Sequence, residues 1–354
     1  MFIGTKAQYV KTAPLLRLMD ERGVDYRLID SGQHARISSV LRSELGVRAP
    51  DHVLGGDADI VSVPQALRWS ALLAARLWSA HRLRDVVFGG DGGICVVHGD
   101  TPSTMLSALM AKRAGLRVVH LEAGLRSHSL LHPFPEELIR LAVMRVADLL
   151  FAPDDTALAN LREMKVGGRV VRVDANTSVD ALRWSLTADA LPASGPAVVT
   201  MHRVETLHHR ARVAMLVDAV AEAAARWKIR WIVHGPTAAV LARSGADVQL
   251  AQAGVELGPL VPHAELMRLV AEAPFVITDG GSIQEECALL GVPTLLWRMR
   301  TERPDGLGAN VLLSKYDPIL LERFLDDPEP LRRPGVPLDR SPSEQILEVL
   351  LAEL

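Results

Sequence analysis

Short runs of β-branched residues alternate along the chain with longer amphipathic segments. In the first half, an apolar run over 94–100 is followed by a helical pattern over 101–115 and a second apolar run over 116–122. Thr101 is a typical helix N-cap, and Gly115 can end this helix in a left-handed conformation. The order is typical of βα units whose strands lie parallel in one sheet.

The alternation continues through the second half of the chain. The predicted strands cover residues 197–203, 229–235, 275–281 and 292–297, and the predicted helices cover about 211–227, about 262–272 and a segment that begins at Ser282. A closing amphipathic helix is predicted over 343–354. Between the halves, the Gly- and Pro-containing stretch 165–195 is a predicted hinge.

The pattern predicts an α/β protein with two doubly wound, Rossmann-like domains that face a central cleft. The 354 residues are enough for two domains that each bury a core. We expect the first domain to cover residues 1–170 and the second to cover residues 171–342. Ligands bind at the carboxyl ends of the strands in such sheets, so candidate site residues are sought there.

Composition narrows the class of protein. The chain has 49% hydrophobic and 23% charged residues, as folded proteins do, and its formal net charge of −3 lacks the basic excess of proteins that bind nucleic acid. No apolar run is long enough to span a membrane. Cys95 and Cys287 are predicted to be buried thiols in a reducing compartment, which indicates a soluble, cytoplasmic protein. Since no metal-ligand, dinucleotide or P-loop motif is present, neither a metal nor a cofactor is expected.

Carboxylates are predicted to gather at one edge of the first domain. Asp100 and Glu122 follow neighbouring predicted strands, and Glu136 begins a predicted helix. Taken singly, each is suited to a turn, a cap or the positive end of a helix dipole. Carboxylates gathered in a cleft can have pKa values that are pushed apart, so that one accepts and another donates a proton. The three are therefore candidate acid–base residues.

A glycine turn in the second domain is suited to an anionic ligand. Gly280 and Gly281 let the backbone approach a ligand, and the helix that follows presents unpaired amide groups to a phosphate. Ser282 and Glu285 have the spacing of a capping box, so they are also suited to begin that helix. Glu286 has no such duty and is a candidate acceptor for ribose hydroxyls.

Basic side chains follow other predicted strands. His202 and Arg203 come directly after a strand of the second domain, where phosphate contact or proton transfer is the functional interpretation. His234 ends the next strand and is a candidate of the same kind. Lys6 follows the short first strand and offers a point charge to a phosphate.

Taken together, these motifs resemble the non-hydrolysing UDP-N-acetylglucosamine 2-epimerases. The resemblance covers nearly the whole chain, and the motifs occur in the family's order: GTKAQYVKTAPLL, DSGQHA, VHGDTPST, VHLEAGLRS, PFPEELIR, MHRVET, VHGPT, TDGGSIQEE and TERPDG. It implies the two-Rossmann-domain (GT-B-type) fold of many glycosyltransferases, with the last helix, 343–354, packed back on the first domain. It also implies a UDP-sugar substrate, UDP binding by the second domain, and a homodimer.

Carried over position by position, the resemblance implies catalytic roles for four residues: Asp100, Glu122, Glu136 and His202. The substrate-binding candidates, from the residues and the resemblance together, are Lys6, Arg203, His234, Gly280, Gly281, Ser282, Glu286 and Arg303. The implied reaction eliminates UDP as the proton on carbon 2 is removed, which gives 2-acetamidoglucal. Re-addition of UDP with protonation on the opposite face then gives UDP-N-acetylmannosamine.

The chain departs from the family's usual pattern at several positions. Lys6 stands where arginine is usual and lacks its bidentate phosphate contact. Gln8 stands where an acidic residue is common, Ile139 where asparagine is common, and the glycine turn reads GGS where the family usually reads SGG. These changes leave the exact sugar open.

Three other functions remain open from the sequence. A hydrolysing 2-epimerase would release free N-acetylmannosamine and UDP, and a glycosyltransferase of the same architecture would need an acceptor. A nucleotide-sugar-binding protein would bind its ligand without turnover. The non-hydrolysing branch is favoured by the segments HLEAGLRS and PFPEE, and the retained carboxylates speak against a dead active site.

Overall fold

Contacts within the chain divide it into two compact units. Unit 1 comprises Met1–Ala181 and Asp339–Leu354, and unit 2 comprises Leu182–Leu338. The structure, a computed structural model, describes residues 1–33, 41–55, 63–76, 79–90, 92–130, 135–186, 194–336 and 340–354. The motif positions 34–35 and 133–134 and the predicted hinge residue Pro192 lie outside the described residues.

The two units are built from alternating strands and helices. The strands are β1 (Phe2–Ile3), β2 (Ile29–Asp30), β3 (His52–Val53), β4 (Ile94–His98), β5 (Arg117–Leu121), β6 (Leu149–Ala152), β7 (Arg169–Arg172), β8 (Ala197–Met201), β9 (Ile229–Val233), β10 (Glu256–Gly258), β11 (Val276–Thr278), β12 (Thr294–Leu296) and β13 (Val311–Leu313). The α-helices are α1 (Lys6–Glu21), α2 (Val63–Arg76), α3 (Ala80–Arg82), α4 (Pro102–Arg113), α5 (Glu136–Val146), α6 (Asp155–Glu163), α7 (Ser178–Ser185), α8 (Val204–Leu207), α9 (Arg210–Ala223), α10 (Gly235–Ser244), α11 (Ala246–Gln252), α12 (His263–Glu272), α13 (Gly281–Leu290), α14 (Pro318–Asp326) and α15 (Pro342–Glu353). A π-helical turn covers Leu83–Val87 and a 3-10 turn covers Glu329–Leu331.

In unit 1, the strand order reverses between β1 and β4. One sheet has the order β3-β2-β1, a second has the order β4-β5-β6-β7, and β1 lies against β4. The paired strands are parallel. This doubly wound order creates a crevice at the carboxyl ends of β1 and β4. The turn after β1 leads to Lys6, the first residue of α1, and the turn after β4 carries Asp100, so both candidates lie at the switch point.

In unit 2, a single parallel sheet has the order β10-β9-β8-β11-β12-β13. The order reverses between β8 and β11, which are joined near their ends by a 2.8 Å hydrogen bond between the hydroxyls of Thr200 and Thr278. His202 follows β8 and Gly280 follows β11, so the second switch point also carries candidate residues. The predicted α/β class with doubly wound parallel sheets is confirmed.

Local signals set the ends of several helices as predicted. Thr101 is the N-cap of α4, with its side chain accepting a hydrogen bond from the backbone of Thr104, and Pro102 is the first helical residue. Gly115, just past the helix, has a φ of 82°. The predicted closing helix is present as α15, and it packs against α1.

The chain first passes from unit 1 to unit 2 within α7, whereas the expected limit of the first domain was residue 170. Val173 and Ala181 pack into the core of unit 1, whereas Leu182 packs into a core of unit 2. Apolar burial therefore assigns the residues between the end of β7 and Ala181 to unit 1.

Both cysteines are free and buried, as predicted. Burial raises the pKa of the Cys95 thiol to about 11 and that of the Cys287 thiol to about 12. Within the described ranges, no helix has the length and apolar character needed to cross a membrane. The same residues contain no group of three or more His, Cys, Asp or Glu side chains suited to hold a metal ion.

Candidate active site

Asp100 is held by a buried arginine at the switch point of unit 1. Arg140 donates one hydrogen bond to Asp100 Oδ2 and another, of 2.8 Å, to Glu137 Oε2. The Asp100 side chain is 29% exposed, whereas those of Arg140 and Glu137 are 3% and 0% exposed. The arginine thus fixes the direction of the Asp100 carboxylate while leaving part of it accessible to a ligand.

Glu137 is the anchor for this arginine. It also accepts a 2.6 Å hydrogen bond from Arg126 Nε and one of 3.0 Å from the backbone of Ser127. Burial alone would raise the pKa of Glu137, but the hydrogen bonds from Arg126 and Ser127 and the charge of Arg140 outweigh it and hold the pKa below its ordinary value. Glu137 therefore stays charged at neutral pH and keeps Arg140 in place.

Glu122 is fixed by a different cation. Its Oε1 accepts hydrogen bonds from Lys11 Nζ at 2.6 Å and from Asn176 Nδ2, and its Oε2 lies 3.6 Å from His98 Nδ1. The side chains of Lys11 and Glu122 are each 6% exposed. Glu122 has a φ of 60°, a left-handed conformation that costs energy for a residue with a side chain and is typical of functional sites.

His120 is a neutral, buried imidazole close to Asp100 and Glu122. Burial lowers its pKa to about 4, although the backbone hydrogen bond to Gly99 and the charges of Asp100 and Glu122 act in the opposite direction. Its Nε2 lies 2.8 Å from Gly99 O. A carbonyl only accepts, so Nε2 carries the proton and holds the turn that precedes Asp100.

Gln8 joins the first turn of α1 to the turn after β4. Its amide nitrogen donates to His98 O at 2.6 Å and to Thr104 Oγ1 at 2.9 Å, and its amide oxygen accepts from Gly4 N at 2.6 Å. A carboxylate lacks the donor for the His98 carbonyl. Glutamine at this departure from the family pattern therefore ties the start of α1, which carries Lys6, to the turn that carries Asp100.

The structure places Glu136 on the same helix as Arg140, the arginine that holds Asp100. Glu136 is the first residue of α5 and is half-buried, directly before Glu137. Asp100 and Glu122 follow the paired strands β4 and β5, where His98 is in register with Leu121. Unit 1 thus brings the turns of Asp100 and Glu122 to one sheet edge, with Glu136 on the helix that supplies Arg140.

In unit 2, a buried aspartate organises His202. Asp279 accepts hydrogen bonds of 3.0 Å from the backbone amides of both His202 and Arg203, and His202 Nδ1 lies 3.2 Å from Asp279 Oδ1. Burial alone would raise the pKa of Asp279, but the His202 side chain and the two amides hold it below its ordinary value. The carboxylate therefore stays charged at neutral pH, holds the backbone that carries His202 and lies beside its ring.

The imidazole of His202 is packed on two sides. It stacks on the ring of His234 with centroids 4.8 Å apart and an interplanar angle of 24°. A Cβ atom on Gly280 would lie 3.1 Å from His202 Cε1, so glycine there leaves room for the ring. Arg203, the next residue, donates a 2.7 Å hydrogen bond to Glu205. His202, His234 and the glycine turn are therefore neighbours.

The glycine turn begins α13 and lies beside Arg303. Gly280 is the N-cap and Ser282 is the second helical residue. A Cβ atom on Gly281 would lie 3.2 Å from Arg303 Nε. The predicted helix start and the capping box of Ser282 with Glu285 are wrong, because the helix begins one residue earlier and the buried Glu285 accepts a 2.9 Å hydrogen bond from Arg303.

Glu286, the ribose candidate, is 4% exposed and lies on the second turn of α13. Its Oε1 lies 2.8 Å from Nε2 of His263, the first residue of α12. Unit 2 therefore groups the candidate phosphate residues around the glycine turn and places the ribose candidate on the same helix.

Sequence reasoning missed the partners that hold these groups. They are Lys11, Arg140, Asn176, Asp279 and His263. Lys11 lies on the buried face of α1, and a charged residue on an apolar stripe is a signal for a buried ion pair. Arg140 follows Glu137 at the i, i+3 spacing of a helical ion pair. The contacts of Asn176 and His263 join distant parts of the chain and leave no local signal.

Two doubly wound units with polar groups at both switch points define a ligand-binding protein of the two-Rossmann-domain class. The family model for UDP-N-acetylglucosamine 2-epimerase matches residues 17–319. The chain belongs to this family.

Individual relatives cover most of the chain. It is 26% identical over 332 residues to the UDP-N-acetylglucosamine 2-epimerase of Methanocaldococcus jannaschii, across 88% of this chain and 87% of that protein. It is also 26% identical over 335 residues to a UDP-2,3-diacetamido-2,3-dideoxy-D-glucuronate 2-epimerase of Pseudomonas aeruginosa, across 90% and 89%. A crystal structure of the M. jannaschii enzyme with UDP-GlcNAc and UDP superposes with a TM-score of 0.83 at 22% identity, over 99% of this chain and 98% of that one. At this identity, the match shows the shared fold.

Proposed function

We propose that the protein is a non-hydrolysing UDP-N-acetylglucosamine 2-epimerase that interconverts UDP-N-acetylglucosamine and UDP-N-acetylmannosamine. The observation that carries the proposal is the pair Asp100 and Glu122, which follow adjacent parallel strands and are each bound to a buried cation. Membership of the epimerase family supports the reaction class, and a relative named for the same reaction supports the substrate.

The proposed chemistry needs proton transfer at carbon 2 and departure of a diphosphate at carbon 1. A base takes the carbon 2 proton, the C–H electron pair forms the C1–C2 double bond, and the C1–O electron pair leaves with UDP. UDP then adds back to the 2-acetamidoglucal while an acid delivers a proton to the opposite face of carbon 2. We assign the base and acid roles collectively to Asp100, Glu122 and Glu136.

Unit 2 is proposed to bind the UDP moiety. The amides of Gly281 and Ser282 at the start of α13 suit the diphosphate, and Gly280, whose own amide donates to Thr278 Oγ1, is proposed to let the backbone approach it. His202 is proposed to stabilise the negative charge that develops on the leaving diphosphate. Further phosphate contacts are assigned to basic residues, and Glu286 is assigned to the ribose hydroxyls. These basic residues are Arg203, His234 and Arg303 of unit 2 and Lys6 of unit 1.

The test follows carbon 2 by NMR after UDP-N-acetylglucosamine is incubated with the protein in deuterated water. Deuterium at carbon 2 with UDP still attached, in a mixture of both epimers, is the expected result. Stoichiometric release of UDP and N-acetylmannosamine would instead show a hydrolysing epimerase. Turnover only with an added acceptor would show a glycosyltransferase, and binding without any turnover would show a nucleotide-sugar-binding protein.

The proposal also includes a homodimer in the cytoplasm. The homodimer rests on the resemblance to the family, and the two free, buried thiols suit a reducing compartment. Analytical ultracentrifugation is expected to give twice the mass of the chain, and the mass of one chain would contradict the dimer.

A further inference from the structure

A buried histidine is hydrogen-bonded to Glu286, the acid that is proposed to bind the ribose. His263 Nε2 lies 2.8 Å from Glu286 Oε1, and the two side chains are 11% and 5% exposed. The pair joins the first residue of α12 to the second turn of α13, two helices that pack against each other. A hydrogen bond of this length in a buried setting restricts the rotation of the carboxylate.

The other ring nitrogen of His263 also has a partner. Its Nδ1 lies 3.3 Å from the Oγ of Ser185, the last residue of α7. With Nε2–H donating to Glu286, Nδ1 accepts from the serine hydroxyl. This arrangement satisfies both nitrogens and defines one ring orientation. The carboxylate of Glu286 is then held with one oxygen engaged by His263.

We propose that His263 is a specificity-determining positioning residue of the nucleotide site, which acts through Glu286 to favour ligands that carry ribose hydroxyls. The inference rests on the proposed function, because it takes UDP as the ligand. A carboxylate held in one orientation accepts hydrogen bonds from ribose hydroxyls without first losing rotational freedom, so the hydroxyls contribute more to binding. Without the imidazole, Glu286 loses its donor, and the preference for ribose decreases.

The experiment compares the dissociation constants of UDP and 2′,3′-dideoxy-UDP by calorimetry. The wild-type protein is expected to bind UDP at least roughly tenfold more tightly, as suits hydrogen bonds to a charged acceptor. His263→Leu is expected to reduce this ratio to about threefold or less. It is expected to raise KM for UDP-N-acetylglucosamine while kcat stays within about twofold, because the ribose is remote from carbon 2.

A second variant separates positioning from folding. His263→Gln retains an N–H donor for Glu286 and is expected to restore most of the ratio, and Glu286→Gln is expected to lower the ratio as His263→Leu does. The matched control is His208→Leu, at an exposed position in unit 2, which is expected to leave the ratio unchanged. The ratio is measured within each variant, so a partial loss of folded protein cancels.

The possible outcomes distinguish this inference from the proposed function. A wild-type protein that epimerises its substrate, with a His263→Leu variant that keeps the full ratio, would overturn the role of His263 alone. A wild-type ratio near one would also overturn it. A wild-type protein that binds neither UDP nor the sugar nucleotide would overturn both proposals.

Discussion

The buried charged residues of the two units hold different kinds of group in place. In unit 1, Asp100 and Glu122 are themselves paired with buried cations, Arg140 and Lys11. In unit 2, the buried carboxylate of Asp279 accepts hydrogen bonds from the backbone after β8 and lies beside the ring of His202. The first arrangement fixes acids, and the second fixes the turn of the backbone that carries an imidazole.

This difference matches the tasks that we propose for the two units. Proton transfer needs carboxylates at defined positions, and a cation that is itself anchored restricts them without covering every oxygen. Binding a diphosphate needs amide donors whose geometry exists before the ligand arrives. Changes in unit 1 should therefore affect stability and kcat, whereas changes at the glycine turn of unit 2 should mainly affect KM.

The largest expected effect on stability comes from Arg140→Met in unit 1. The change leaves Glu137 buried with fewer partners and Asp100 without its cation, so we expect the free energy of unfolding to fall by about 3–5 kcal/mol. Urea unfolding measures it. Arg145→Met, at an exposed position of the same helix, is the matched control. A loss no greater than that of the control would show that the charges are not coupled.

The second expected effect is a dependence of the free energy of unfolding on pH, which arises from His120. Its pKa is about 4 in the folded protein and 6.5 ordinarily, so the unfolded chain binds the extra proton as the pH falls through this range. The contribution of His120 to the free energy of unfolding is therefore complete above pH 6.5 and decreases by about 3 kcal/mol as the pH falls to 4.

His120→Gln removes this titration, so its stability should decrease less than that of the wild-type protein between pH 6.5 and pH 4. Urea unfolding at several pH values measures the difference. The exposed His209→Gln variant should follow the wild-type curve. Parallel curves for wild type and His120→Gln would rule out a neutral, buried His120.

The smallest effect is expected at the glycine turn of unit 2. In Gly281→Ala, the new methyl group would lie 3.2 Å from Arg303 Nε and 3.3 Å from Glu302 Oε1. These side-chain atoms need to move by only a few tenths of an ångström, so the fold should persist while the diphosphate site changes. We expect KM to rise roughly tenfold with kcat within about threefold. Gly167→Ala, with open space around its Cβ position, is the control in steady-state kinetics. A fall in kcat with an unchanged KM would reverse the assignment of tasks.

Much of the fold could be predicted from local patterns. Apolar runs and helix caps such as Thr101 were sufficient for the βα units, because strand and helix periodicity depend on neighbouring residues. The predicted start of α13 was wrong by one residue. Glu285 has the spacing of a capping residue but is buried beside Arg303, and a buried charge takes the cation that tertiary packing supplies.

For the candidate site, the sequence identified groups at the ends of strands but not what holds them. Asp100, Glu122 and His202 follow strands of parallel sheets, and this topology places Asp100 and His202 at the switch points and Glu122 at the end of the strand beside β4. Their partners come from other elements. Lys11 is on α1 and Asp279 follows β11, so their pairings depend on how distant segments pack.

The central claim is that the acids of unit 1 transfer the proton at carbon 2 while unit 2 binds UDP. The rate of deuterium incorporation at carbon 2 of UDP-N-acetylglucosamine in deuterated water tests it most directly, measured for Asp100→Asn and Glu122→Gln. Asp155→Asn, whose side chain is 85% exposed in the wild type, is the control. We expect each of the two site variants to incorporate deuterium roughly a hundredfold more slowly, with the dissociation constant of UDP within about twofold of wild type. Incorporation at the wild-type rate in either variant would contradict the account for that residue.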